Sequence, residues 1–205
     1  MTTYYLSDDD LIALQYELLK TTAPSTLDEA QGWTVDKKTA LASPYKPETI
    51  QPATTFVSEP SVFGALGYRT QSPLTGSFAS GNWFLSFKVK CNAYYVQRGR
   101  VKFRLWRSTN ADGSGATQIT SGWNLSNEIT FSSPNSYNTG SAGASLGIVT
   151  LTNEYLFLEI EWYATVSGGN NSAAVYWVHN EGDAERLDTP AWAPPSAGGV
   201  LAQVM

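Results

Sequence analysis

The sequence has 205 residues, of which 42% are hydrophobic, 13% aromatic and only 15% charged, and it carries a formal net charge of −5 and one cysteine. A chain with so many aromatics and so few charges is not disordered, and one cysteine excludes an intramolecular disulfide framework and a multi-cysteine zinc site. The acidic balance argues against direct nucleic-acid binding, and no run approaches the roughly 18 apolar residues of a membrane span.

The first predicted element is a short helix that ends at Lys20. Ser7 is a candidate N-cap, and the aspartates that follow it suit the positive end of the helix dipole. Three leucines then recur at helical spacing and form a stripe for assembly: Leu11, Leu14 and Leu18. A helix of this length is marginal alone, so we expect the stripe to need a partner surface.

Residues 21–60 are rich in threonine, serine and proline, a composition that favours extended chain over regular ladders. We therefore predict an N-terminal segment, residues 1–60, made of the helix and an extended arm. Residues 191–205 are rich in proline, glycine and alanine, and a flexible or partner-held tail is predicted there. The start of the chain lacks the basic region and apolar run of a signal peptide, so we expect synthesis in the cytoplasm.

Between these segments, residues 61–190 consist of short β-runs separated by turns rich in glycine, asparagine and serine. Alternating or apolar runs predict six strands: 83–91, 100–105, 128–131, 148–151, 156–162 and 174–178. Strands with one apolar face, spaced by turns, are typical of two packed antiparallel sheets. The predicted fold class is all-β: an antiparallel, jelly-roll-like β-sandwich with a short N-terminal helix and an extended arm.

Several of these segments together resemble structural proteins of tailed bacteriophages. The resemblance is carried by strand-and-turn runs: Val101–Ser108 with Asn110–Thr120, Asn153–Phe157 with the strand around Trp162, Gly168–Ser172, Gly32–Val35 and Leu74–Phe78. It covers about residues 30–180 and implies a virion component built around a β-sandwich. The N-terminal helix lies outside the resemblance.

On this resemblance we expect a non-enzymatic bacteriophage virion structural protein: a head-associated decoration, fibre or neck component that assembles through its N-terminal arm. The expected partners are other virion proteins (coat, portal, neck or tail proteins) and further copies of the chain, since symmetric homo-oligomers are the default. The expected location is the virion, after synthesis in the host cytoplasm. The alternative is a carbohydrate-binding module of a phage tail, which would bind a host-receptor glycan.

More than half of the 13 basic residues lie between positions 88 and 107, where no acidic residue occurs. The predicted basic face spans two strands that we take as neighbours: Lys88, Lys90, Arg100, Lys102 and Arg104. Aromatics on these strands point to the other face, which disfavours nucleic-acid binding. Two alternatives remain, namely pairing with Glu159 and Glu161 on an adjacent strand and a contact between subunits.

Four aromatic residues are predicted near edges or loops: Tyr94, Tyr95, Trp106 and Trp177. Exposed tyrosine and tryptophan stack on sugar rings, and they also anchor protein interfaces. The sequence does not choose between a glycan contact and an interface at these positions.

Groups for catalysis are sparse. Glu159 and Glu161 lie two apart on a strand, so they share a face at about 6.5–7 Å, which is close to the spacing of glycosidase carboxylates. Pairing with a basic strand is the simpler interpretation of both. The one histidine, His179, has no nucleophile in a suitable context, and Cys91 fits the apolar face of its strand. We therefore assign no catalytic site, no cofactor and no transition-metal site.

Calcium is the one ion with candidate ligands, which are loop oxygens in two segments: Asn110, Asp112 and Ser114, then Glu181, Asp183, Glu185 and Asp188. Neither segment has the spacing of an EF-hand loop. Ordinary turn chemistry explains the first segment equally well.

Overall fold

The computed structural model describes residues 1–10, 17–21, 40–42, 66–91, 97–133, 136–167, 175–177 and 185–195. Every regular element within them is a β-strand, which confirms the predicted all-β class. The strands are β1 (Thr2–Asp10), β2 (Glu17–Lys20), β3 (Ala40–Ala42), β4 (Leu66–Thr70), β5 (Leu74–Phe78), β6 (Gly81–Cys91), β7 (Gln97–Ser108), β8 (Thr117–Gln118), β9 (Asn124–Leu125), β10 (Ile129–Phe131), β11 (Tyr137–Leu146), β12 (Val149–Ser167), β13 (Val175–Trp177), β14 (Arg186–Thr189) and β15 (Trp192–Ala193). In this part of the chain no helix is long and apolar enough to cross a bilayer.

The strands form one mixed sheet that curls on itself. Starting at β11, the order of pairing is β11–β6–β14–β1–β2–β4–β12–β7, and β7 also pairs with the short strands β8, β9 and β10. β3 and β13 extend from the end of β6, while β5 and β15 pair beside the first part of β12. β2 and β4 run parallel, and the other described ladders are antiparallel. Because β11 lies beside β9 and β10, the two ends of the sheet approach each other around the core.

The core is formed by apolar residues that occupy every second position of the strands and face the same side of the sheet. Its members on the three longest contributing strands are Trp83, Leu85, Phe87 and Val89 on β6, Val101, Phe103 and Leu105 on β7, and Leu156, Leu158 and Ile160 on β12. β6 and β7 do not pair with each other in the described part of the chain, yet their apolar residues share this core. Three of the predicted strands, at 83–91, 100–105 and 156–162, are therefore present, and every second residue on them belongs to the apolar core, as their sequence indicates.

The predicted N-terminal helix is wrong in the part that the structure describes. Ser7 belongs to β1 and Leu18 to β2, and these two residues face each other across an antiparallel ladder. Tyr4 and Leu6 are both buried in the core, and their spacing of two residues is the period of a strand. A marginal helix gives way here because β1 gains ladder partners on both sides, β14 and β2. The other two residues of the predicted stripe, Leu11 and Leu14, lie outside the described residues.

Parts of both predicted flanking segments join the sheet. β1 and β2 lie in its middle, between β14 and β4. Near the other terminus, Trp192 of β15 packs on Phe78 of β5, with ring centroids 4.5 Å apart. Gly76 of β5 has a φ of +147°, and a Cβ there would collide with the carbonyl oxygen of Ala193. The boundaries predicted at residues 60 and 190 stay predictions.

Candidate binding sites

Strands β7 and β12 carry a second layer of side chains on the face opposite the core. Their antiparallel register sets Arg104 beside Glu159 and Lys102 beside Glu161. These four residues are called the charged face below. Charged side chains on a strand are ordinarily solvated, but here Lys102, Arg104 and Glu159 are only 2%, 4% and 1% exposed. The charged face is therefore an internal layer.

Glu159 is the centre of the charged face. Arg104 donates from Nη2 to its Oε1 at 2.9 Å and from Nε to its Oε2, and Trp106 Nε1 donates to the same Oε2 at 2.9 Å. Burial raises the pKa of this carboxyl above its usual value, while the hydrogen bonds and charge of Arg104 oppose the rise. Because both oxygens are occupied by donors, the carboxylate suits a fixed buried ion pair rather than proton transfer to a substrate.

Trp123 covers the cations of the charged face. The Cζ of Arg104 lies 4.2 Å from the centroid of its ring, and the Nζ of Lys102 lies 4.6 Å from it. The Nζ of Lys102 also lies 2.7 Å from the Oε2 of Glu161. Glu159 and Glu161 are thus each matched by a cation on the neighbouring strand, which is the pairing alternative considered from the sequence.

The two strands of the predicted basic face are not neighbours. β6, which carries Lys88 and Lys90, pairs with β11, β13 and β14. β7, which carries Arg100, Lys102 and Arg104, pairs with β8, β9, β10 and β12. The prediction of adjacency is wrong because the chain passes to the other half of the sheet between β6 and β7. The side chain of Lys90 lies outside the described part.

Two of the basic residues have partners of their own. Arg100 Nη1 donates to the Ser126 carbonyl at 3.1 Å, and the Nζ of Lys88 lies 4.6 Å from the centroid of the Tyr137 ring. The charge of Lys88 also acts on Glu185, a buried carboxyl at the start of β14. Burial raises the pKa of Glu185 to about 8, and the charge of Lys88 opposes this rise.

A further cation lies beside the charged face. Arg69 of β4 is the ladder partner of Phe157 of β12, and it is 5% exposed. Its Nη1 donates to the Thr70 carbonyl at 3.2 Å, and its Cζ lies 4.5 Å from the centroid of the Tyr155 ring. Its Nε–H has no hydrogen-bond partner, and among the residues described here no carboxylate forms a salt bridge with it. Among the described residues, Arg69 is therefore a buried cation that no carboxylate matches.

β11 forms an edge of the sheet. It pairs with β6 along all of its 10 residues, and no other strand of the described ranges pairs with it. Its sequence, YNTGSAGASL, contains no charged residue and no proline. Three of the exposed large hydrophobic residues lie on, opposite or just after β11: Tyr137 at 46%, Phe84 at 41% and Ile148 at 71% exposed. Three of the four exposed large hydrophobic residues that the structure describes are therefore on or near β11.

The predicted aromatic contacts fall in different places. Trp106 is 3% exposed and packs against Phe157, so its ring lies within the internal layer. The prediction that Trp106 contacts a glycan or a partner from an edge is therefore wrong. Trp177 is the last residue of β13, where it pairs with Val89. The side chain of Trp177, together with Tyr94 and Tyr95, lies outside the described part of the chain. His179 lies outside it as well.

The polar side chains of the turn after β7 form hydrogen bonds within the turn. Ser108 Oγ and Asn110 Nδ2 both donate to the Ser114 carbonyl, at 2.7 and 3.0 Å. The backbone N–H of Ser114 donates to Asp112 Oδ1 at 2.9 Å and thereby lowers the pKa of Asp112. In the described ranges no three His, Cys, Asp or Glu residues are grouped to hold a metal ion. Residues 181–184 of the second calcium segment lie outside those ranges, and calcium stays a prediction.

Sequence reasoning did not single out Arg69, Trp123 or Tyr137. For Arg69 a signal exists: it follows the buried Tyr68 in a strand, so its side chain faces away from the core. Trp123 has no comparable signal, because it lies in the turn before β9 and reaches the charged face only through the folded structure.

No protein-family model matches the chain, and no curated protein matches it. Among solved structures, an alpha-amino acid ester hydrolase matches with a TM-score of 0.48 and 10% identity, over 92% of this chain and 36% of that one. A CocE/NonD family hydrolase from Staphylococcus aureus matches with a TM-score of 0.41 and 8% identity, over 63% of this chain and 30% of that one. The chain therefore spans well under half the length of either hydrolase.

These matches contradict the function expected from the sequence. Both similar structures are hydrolases, so the assignment to a non-enzymatic virion structural protein, or to a carbohydrate-binding module of a phage tail, is withdrawn. The expectation that the chain is not an enzyme is withdrawn with it. At 8% and 10% identity the likeness does not extend to side chains, and no activity, substrate or residue role passes from these hydrolases to this chain.

Proposed function

We propose that this protein is a two-layer, jelly-roll-like sandwich that works as a homo-oligomer, with its copies joined along strand β11. The two-layer arrangement is supported by β6 and β7, which do not pair with each other although Phe87 and Phe103 belong to one core. One layer is centred on β6 and the other on β7 and β12. β9 and β10 lie near β11, but β6 is its one ladder partner among the described strands, and this uncharged edge carries the proposal of self-association.

Edge strands of monomeric proteins ordinarily carry a device that prevents pairing with another chain, such as a lysine, a proline or a bulge. β11 has none of these: its 10 residues include no charge and no proline, and its register with β6 is unbroken. Its side chains are mostly glycine, serine and alanine, which allow a second strand to approach closely. Such an edge is suited to continuing the sheet into another copy.

Antiparallel pairing of β11 with its own copy brings exposed side chains together. A two-fold axis between Ser141 and Ala142 sets Tyr137 of one copy opposite Leu146 of the other. Ile148, which is 71% exposed, follows Leu146 by two residues. The pairing therefore covers the exposed tyrosine and isoleucine at both ends of the shared ladder, and this favours the dimer through apolar burial.

Sedimentation equilibrium over a range of protein concentrations tests the proposal. We expect the wild type to be dimeric and Ser141→Lys to be monomeric, because the substitution sets two like charges beside the two-fold axis. The matched control is Asn82→Lys, which makes the same charge change at an exposed position of β6, a strand with partners on both sides. A monomeric wild type, or a Ser141→Lys variant that dimerises like Asn82→Lys, would refute the assignment of the interface to β11.

A further inference from the structure

We propose that Arg69 is the anchor of a second, separate site, which binds the carboxylate group of a small organic acid beside Tyr155. The site lies on β4 and β12, away from β11, and it does not depend on self-association. It goes beyond the proposed homo-oligomer because it assigns a ligand class to the internal layer.

The charge balance of the internal layer is the first argument. Three cations lie in it, and two of them are matched one to one by carboxylates, Arg104 by Glu159 and Lys102 by Glu161. Arg69 is as buried as these two but has no carboxylate partner among the described residues. A guanidinium cannot shed its proton to escape burial, and an unmatched buried charge is strongly destabilising. An anion from outside the layer would restore the balance.

The arrangement of donors around Arg69 is the second argument. Nη1 is taken by the Thr70 carbonyl, and the Tyr155 ring lies against the guanidinium, 4.5 Å from its Cζ. The Nε–H is left without an acceptor, on the side edge of the planar group. A guanidinium edge recognises planar carboxylates through parallel hydrogen bonds. The aromatic rings of Tyr155 and Phe157 beside it favour an acid with an apolar or aromatic body.

The position of Arg69 in its strand gives the ligand a route. β4 ends at Thr70, one residue later, and the next two residues, Gln71 and Ser72, are exposed. Tyr155 is itself partly exposed. Arg69 therefore lies close to the end of β4, and we expect a small acid to enter between that end and the partly exposed Tyr155.

Thermal unfolding in sodium acetate, sodium benzoate or sodium phosphate, at pH 7 and with ionic strength held constant by sodium chloride, tests the site. We expect the Tm of the wild type to rise with the logarithm of the acetate or benzoate concentration, and to rise more with benzoate. Arg107→Lys is the matched control, because Arg107 is partly exposed on β7 and lies 3.7 Å from Glu154. It should respond like the wild type.

Two substitutions at the site decide the result. Arg69→Met should abolish the response to benzoate and raise the ligand-free Tm, because it removes the unmatched charge and keeps the aliphatic stem. Arg69→Lys keeps the charge but loses the guanidinium edge, so it should weaken the apparent affinity for benzoate severalfold, whether or not the methionine variant folds. No rise in the wild type, an undiminished rise in Arg69→Lys, or a rise with phosphate alone would each overturn the carboxylate site.

Discussion

Two pairs of neighbouring strands, β7 with β12 and β6 with β11, both turn every second side chain towards the core. The pairs differ in what lies over the opposite face. On β7 and β12 the second face is covered, and Arg104 and Glu159 are 4% and 1% exposed. On β6 and β11 it is open, and Phe84 and Tyr137 are 41% and 46% exposed. Alternation therefore shows which side chains share a face, but not whether that face meets water.

The consequence of this difference is energetic. A charge on the open face is hydrated whether or not it has a partner, so its pairing contributes little. A charge in the covered layer has lost its hydration, and it is tolerated only with close partners. Substitutions matched in chemistry should therefore have large effects on β7 and β12 and small effects on the outer face of β6 and β11.

The largest effect is expected for Glu159→Ala. This change leaves Arg104 buried without its carboxylate and removes the acceptor of Trp106 Nε1, so we expect a loss of about 3–5 kcal/mol in the free energy of unfolding. Urea denaturation at neutral pH measures it. On the outer face of β11, Thr139→Ala is expected to change the same quantity by no more than about 0.5 kcal/mol.

A double substitution separates the pairing from the packing of the internal layer. Arg104→Met together with Glu159→Leu removes both charges and keeps apolar volume, so it should recover most of the stability that Glu159→Ala loses. A loss below about 1 kcal/mol in Glu159→Ala would show that this layer is hydrated like the outer face.

The second effect concerns Glu185, a buried carboxyl just before β14. Its pKa is raised from 4.5 to about 8, so the folded chain holds this proton more tightly than the unfolded chain does. The stability from this group is complete at about pH 4.5 and is lost as the pH rises to about 8. Between about pH 5 and pH 8 the loss should be about 3–4 kcal/mol.

Glu185→Gln removes this titration and keeps a side chain of similar size. Its unfolding free energy, measured by urea denaturation at several pH values, should match the wild type near pH 5 and exceed it at pH 8 and above. Parallel pH profiles for the two proteins would mean that the carboxyl is ionised in the fold at neutral pH, as an exposed carboxyl is.

The pairings of the charged face could be predicted from the sequence, but their burial could not. Glu159 and Glu161 are two apart, as are Lys102 and Arg104, so adjacent antiparallel strands bring the two pairs into register. That the layer is closed to solvent depends on groups such as Trp123, which no strand periodicity connects to it. That no carboxylate in the described part of the chain forms a salt bridge with Arg69 is likewise visible only after the neighbouring strands are known.

The N-terminal segment and the strand order show a different limit. Ser7 and the leucines up to Leu18 have helical spacing, but ladders with β14 and β2 decide the conformation of β1, and both are tertiary pairings. The sequence predicts that β6 and β7 are neighbours because they are consecutive in the chain, but each of them pairs with other strands. Local pattern predicts strands at β6, β7, β10, β12 and β13, whereas strand adjacency depends on contacts between residues distant in sequence.

The smallest effects compare the two faces within β11 itself. A Cβ on Gly140 would lie 2.6 Å from Cζ of Phe87 in the core, whereas one on Gly143 would lie 3.1 Å from Cε1 of Phe84, an exposed ring that is free to shift. We expect Gly140→Ala to cost about 1–3 kcal/mol through overpacking. Gly143→Ala should change the free energy of unfolding by no more than about 0.5 kcal/mol. Alanine loses less backbone entropy than glycine when the chain folds, and this gain offsets the mild crowding. Thermal unfolding of the two variants side by side measures the difference, and equal losses would show that both faces of β11 are covered.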